Sequence, residues 1–131
     1  GRYLKERKSS VQLVAAEPEL GHRIQGLKNI REAIVPKIYD EYLVYKEIEV
    51  STQVAYEWAL MLTRQESIFA GQSSGAVMYA AAKVSEELDS GLIVAVLPDS
   101  GFKYLSGPPY YDEEIVRRFL EARGRGVSVR I

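Results

Sequence analysis

The sequence predicts an α/β fold: a three-layer, open, mainly parallel sheet with flanking helices. Short apolar runs alternate with segments of helical periodicity, in the order α-β-loop-β-α-β-α-β-α. Strands separated by helices are joined by crossovers, which makes neighbouring strands parallel. At 131 residues, without internal repeat or low-complexity linker, the chain has the size of one domain covering 1–131.

The elements follow in order. Residues 2–8 read as the end of a helix, closed by Ser9 and Ser10. Val11 to Glu17 is a strand apolar enough to be buried on both faces, with Val14 in the core, and Pro18 ends it. Residues 19–41 carry mixed signals: Asn29 to Ile34 could form a helical turn, but Pro36 interrupts it. Leu43 to Val50 is a second strand, and its alternation places it near an edge. Ser51 or Thr52 can cap a helix in which Val54, Ala55, Trp58, Ala59, Met61 and Leu62 share one face. Trp58 should be largely buried there.

Ile68 to Ala70 is a short strand. Ser73 or Ser74 caps the next helix, with Val77, Ala81, Val84 and Leu88 as its buried stripe and Gly91 beyond its end. Leu92 to Leu97 is a central strand with Val94 and Val96 buried. Asp112 caps a last helix, Glu113 to Arg123, and Val127 to Ile131 adds a short strand. The sheet expected has four or five strands.

Composition narrows the function. Hydrophobic residues make up 47% and charged residues 27%, which fits a globular protein and argues against disorder. Seventeen basic and eighteen acidic residues leave a formal charge of -1, so neither a nucleic-acid nor a membrane surface is indicated. The one basic run, Arg2 to Lys8, alternates with apolar residues and reads as a solvated helix face. The absence of cysteine excludes disulfides, thiolate metal sites and cysteine nucleophiles, and no metal is expected. The longest apolar run, Leu92 to Pro98, is far shorter than the roughly 20 residues that a membrane helix needs. With no secretory signal visible, the expected compartment is the cytoplasm. Gly1 to Lys5 reads like the middle of a helix and carries no initiating Met.

Two segments carry the chemistry. Ala70-Gly71-Gln72-Ser73-Ser74-Gly75-Ala76 is a small-residue turn that opens a helix. Ser73 and Ser74 are there either helix caps or ligand contacts; Gly71 and Gly75 favour the second by allowing close backbone approach. A serine hydroxyl is a neutral hydrogen-bond partner and, unlike a carboxylate, does not hold a proton on a basic ligand atom. Pro98-Asp99-Ser100-Gly101 stands at the end of a strand, where open α/β sheets bind ligands, although all four residues are also turn formers.

Read together, Gly71 to Ala76 and Val94 to Ser106 resemble the cysteine synthase family, the β-family (fold type II) of pyridoxal-phosphate enzymes. Its members carry a G-x-S-S-G-A turn followed by V-x-x-L-P-D-S-G-x-x-Y-L-S. His22-Arg23-Ile24-Gln25-Gly26-Leu27 is similar to the family's H-K-I-Q-G-I segment. The resemblance covers residues 1 to about 111 and implies the carboxyl-terminal portion of the large domain. It implies that Ser73 meets the pyridine nitrogen, that Ser74 caps or shares the contact, and that Gly71, Pro98 and Asp99 border the cofactor. Gln25 and Gly26 would lie on the substrate side.

The family's G-T-G-G-T phosphate loop has no counterpart here, and no lysine matches its Schiff-base lysine. No catalytic residue is therefore assigned, and this chain alone is expected to be inactive and to bind no cofactor covalently. The stretch between Pro18 and His22 is shorter than the family's, and Lys28 replaces a glycine. The parent would be a homodimeric cysteine synthase (O-acetylserine sulfhydrylase) acting on a small-molecule amino acid. The alternative is a free-standing α/β scaffold or binding module.

Overall fold

The computed structural model describes residues 1–111. The expected helix at 113–123 and strand at 127–131 lie outside the described residues. A short helix α1 (Arg2–Arg7) is followed by strand β1 (Val14–Pro18), strand β2 (Lys46–Val50), and helices α2 (Thr52–Glu66) and α3 (Gln72–Ser85). β1 and β2 pair in parallel, Val14 opposite Lys46 through Pro18 opposite Val50. α3 packs on both strands and on α2.

α2 forms where the spacing predicts, but its buried face is narrower than expected: Met61 is exposed and Trp58 is only half-buried. Ser51 is its N-cap and accepts the Val54 amide (3.3 Å). Ala55, Ala59 and Leu62 are buried, and Trp58, half-buried, meets Tyr79 edge to face at 5.9 Å. Val50, Ile24, Ala55 and Ala76 form the centre of the core, with Ala16, Leu27 and Val54 packed around them.

α2 and α3 meet through small residues. A Cβ added to Gly75 would lie 2.7 Å from the Ala59 nitrogen, and closer still to the Ala55 carbonyl oxygen. The buried side of α3 is therefore its amino-terminal turn with Ala76 and Ala80. Val77, Ala81 and Val84, expected as the stripe, are half-buried, and Leu88 lies beyond the helix. Gly91 does not close α3, which ends at Ser85.

Several expected strands are shorter or not formed. β1 begins at Val14, which is 37% exposed, and includes the buried Pro18. Glu41–Leu43 form a 3-10 turn ahead of β2, whose alternating burial agrees with an edge. Ile68 to Ala70 contributes only a single antiparallel bridge, Ala70 to Ser100. Leu92 to Leu97 is not a strand; Val94 and Val96 are 78% and 72% exposed rather than buried. A strand exists only beside a hydrogen-bonded neighbour. Among the described residues none runs along this segment.

Candidate functional site

The site is built on the amino terminus of α3. A helix start leaves amide groups without intrahelical partners and carries partial positive charge. Gly71 is the N-cap, and α3 has no acidic residue in its first turn. Ser73 and Ser74 thus stand inside the helix and are not its caps, contrary to the expectation from their hydroxyls. Asp99, on the Pro98–Gly101 turn, does the capping from a distance. Its Oδ2 accepts the Ser73 amide (3.1 Å), and its Oδ1 accepts the Ser74 amide (2.9 Å) and the Ser74 hydroxyl (2.5 Å). The Tyr104 hydroxyl adds a further bond to Oδ2 (2.8 Å).

This seat requires Gly71: a Cβ there would overlap the Asp99 carboxylate and the Tyr104 ring. The electrostatics agree. Partial burial pushes the Asp99 carboxyl up, but hydrogen bonds from Ser74, Tyr104 and Ser73 outweigh it and hold the pKa below the ordinary value. Burial, and then the adjoining Asp99, raise the Tyr104 hydroxyl to about 12.

The opposite wall is the His22–Leu27 loop. Glu19 Oε1 accepts the Thr52 amide (2.8 Å) at the start of α2, and Thr52 Oγ1 accepts the Arg23 amide (2.9 Å). The Tyr56 hydroxyl donates to the Arg23 carbonyl (3.1 Å), and Ile24 is inserted in the core. The chain then turns at Gly26, whose φ of +90° is left-handed backbone that favours glycine. A Cβ on Gly26 would sit 3.7 Å from Ser73 Oγ, so the turn and the serine face each other.

The structure thus brings together Gly71, Ser73, Ser74, Asp99, Gln25 and Gly26, six of the seven residues singled out from sequence. Gln25 and Gly26 are exposed, Ser73 and Ser74 are buried, and Pro98 is exposed on the turn that carries Asp99. Two further residues hold the site and were not singled out. Tyr104, in the same segment as Asp99, supplies the hydroxyl just described. Gln72, the variable position of the serine turn, is buried and bridges two distant segments.

A separate acidic recess, lined by Glu17, Glu41, Glu47 and Glu49 with Tyr39 and Arg31, contains none of these residues. The Tyr39 hydroxyl donates to Glu47 there (3.1 Å). Among the described residues no cluster of His, Cys, Asp or Glu could hold a metal ion, and no helix is long and apolar enough to cross a membrane.

Residues 1–99 match the family of pyridoxal-phosphate-dependent enzymes, and the chain belongs to that family. Its described residues form part of the fold type II architecture, a parallel sheet with flanking helices. Among curated relatives, it is 40% identical over 119 residues to a cysteine synthase of Aquifex aeolicus, covering 87% of this chain and 36% of the relative. Cysteine synthase B of Pseudomonas aeruginosa is 37% identical over 109 residues, with 83% and 36% covered. The crystal structure of Entamoeba histolytica cysteine synthase superposes with a TM-score of 0.74 at 32% identity, over 80% of this chain and 34% of that one. An O-acetylserine-dependent cystathionine β-synthase from Helicobacter pylori also gives 0.74, at 28% identity, over 84% of this chain and 38% of that one. The chain therefore spans a little over one third of the length of these relatives.

Proposed function

We propose that this chain is the part of a cysteine-synthase-like enzyme that receives the pyridine side of pyridoxal phosphate. The whole enzyme would replace the acyloxy group of an O-acylated serine by sulfide to give cysteine. The observation that carries this reading is the division of labour at α3. The carboxylate at the start of α3, Asp99, is taken up by helix amides, Ser74 and Tyr104. Ser73 then offers a neutral hydroxyl towards the Gly26 turn.

These residues fit the cofactor's ring. Gly26 leaves open the space opposite Ser73 Oγ that a side chain would enter, and Gly71 lets Asp99 close on the helix start. Ser73 would meet the pyridine nitrogen without charging it, while Ser74 binds Asp99 and fixes the helix turn. Pro98 and the Asp99 backbone would border the ring, and Gln25 and Gly26 the amino-acid substrate. When bound, pyridoxal phosphate supplies the electron sink through which a leaving group departs from the substrate's β-carbon. The protein's contribution from this segment is orientation and a modest, uncharged hydrogen bond to the ring.

The whole enzyme is read as a cytoplasmic homodimer. Tyr3 and Leu4, exposed on α1, support an apolar contact there. The test is a chimera in which residues 1–111 replace the matching part of the Aquifex aeolicus cysteine synthase. The expected result is pyridoxal-phosphate binding and cysteine formation from O-acetylserine and sulfide. A folded chimera that binds no cofactor would favour the scaffold reading instead.

A further inference from the structure

We propose that Gln72 is a positioning residue of this site: its buried side-chain amide sets the cleft between Ser73 and the Gly26 turn. This role rests on the functional reading above, whereas the hydrogen bonds on which it is built do not. Gln72 is the first residue of α3 and only 1% exposed. Burying a primary amide is costly unless both of its ends find partners. Both do, and neither partner is local. Oε1 accepts the Gln25 amide (2.7 Å), and Nε2 donates to the Pro108 carbonyl (2.6 Å).

The partners are 47 and 36 residues away along the chain. One belongs to the turn that faces Ser73. The other belongs to the segment that follows the Asp99–Tyr104 turn. A single side chain therefore ties the front wall of the cleft and the segment behind it to the helix turn carrying Ser73. The Gln25 side chain is free of this task, because only its backbone amide is held. With Gln25 fixed, Gly26 can keep its left-handed turn opposite Ser73 Oγ.

No shorter polar side chain spans both partners from this position, and an apolar one would leave a donor and an acceptor unpaired. The consequence is a selective effect. Losing the amide should loosen the Gln25–Gly26 turn before it loosens α3, whose first turn is separately fixed by Asp99. In an enzyme containing this segment, the amino-acid KM should rise while cofactor affinity and kcat change little.

The experiment compares wild type, Gln72→Leu and Gln72→Glu in the 131-residue chain by amide hydrogen exchange, with thermal melts alongside. In Gln72→Leu the Gln25 amide should exchange about tenfold faster relative to the Ala76 and Ala80 amides. Gln72→Glu keeps an acceptor for Gln25 and, at a pH where its buried carboxyl is protonated, a donor for Pro108, so there it should restore most of the Gln25 protection. A Gln25 rate that changes only in parallel with Ala76 and Ala80 in both variants would overturn the proposal, leaving Gln72 a general packing residue. The same variants in the Aquifex aeolicus chimera separate the two readings. Raised KM with unchanged cofactor affinity supports the positioning role, and equal KM in wild type and Gln72→Leu overturns it. A chimera that never binds pyridoxal phosphate counts against the functional reading alone, since the exchange result stands without it.

Discussion

Replacing Gly75 by alanine tests the packing that places the whole site. By helix propensity alone the change is favourable by up to about 1 kcal/mol. The structure reverses the sign. The new Cβ would stand 2.7 Å from the Ala59 nitrogen and 3.1 Å from the Ala55 carbonyl carbon, where ordinary contact begins at 3.4 Å. These are backbone atoms of α2 and cannot rotate aside. The Ala55 carbonyl oxygen would lie closer still, so the helices must separate by well over the roughly 0.7 Å that Ala59 alone demands, and a gap of that size forfeits at least a quarter to a half of the dispersion energy along their contact. Ala55, Ala59 and Ala76 are fully buried in that contact, so every one of them loses partners. Overpacking of this kind costs about 1–3 kcal/mol, and the absence of side-chain relief puts Gly75→Ala at the upper end. Urea unfolding followed by circular dichroism measures it. Neither Ala55→Gly nor Ala59→Gly should rescue the variant, because the clash involves no side chain of α2. A Gly75→Ala protein as stable as wild type, or one rescued by Ala59→Gly, would refute the reasoning.

Asp99→Asn should lower stability by about 1.5–3 kcal/mol, because an amide cannot accept from every donor around Asp99. Since the folded-state pKa of Asp99 lies below 3.8, its contribution is present above that pH and lost as the pH falls through the folded value. Wild type and Asp99→Asn should therefore converge in acid; a constant difference between their pH–stability curves would count against the assignment. Tyr104 acts at the other limit: its hydroxyl contributes fully below pH 10.0 and loses this as the pH rises towards 12, an alkaline slope that Tyr104→Phe should flatten. Val94→Asp should be tolerated in this chain, because Val94 is 78% exposed, and a cooperative thermal melt at the wild-type temperature would confirm it.

Local signals made α2 and the body of α3 legible: the spacing of Val54, Ala55, Ala59 and Leu62, and the hydroxyl of Ser51 before them. β2 was legible from its alternation. The Leu92–Leu97 run misled because strand propensity encodes a wish for neighbours, not the neighbours themselves; unpaired, its valines face outward. The serine turn was found but its cap was not. A hydroxyl at a helix start looks like a cap, whereas the true acceptor lies 25 residues on, at Asp99. One signal could have found it: α3 lacks an acid in its own first turn, so its dipole needed a carboxylate from elsewhere. Gln72 was invisible for the opposite reason. A polar residue between a glycine and two serines reads as solvent-facing, and only the fold shows that both ends of its amide are used.

Ser73 is the proposed neutral partner of the ring. An aspartate there is a poor probe, because it would place a second carboxylate beside Asp99, whose Oδ2 is 3.1 Å from the Ser73 amide. Ser73→Ala is the direct one, measured as pyridoxal-phosphate affinity by fluorescence in the Aquifex aeolicus chimera, with thermal melts as control. Loss of one neutral hydrogen bond, about 0.5–1.5 kcal/mol, should weaken cofactor binding about 2- to 13-fold without lowering the melting temperature of the cofactor-free protein. Unchanged affinity in a protein that still binds the cofactor would contradict the central claim and leave Ser73 with a role in packing only.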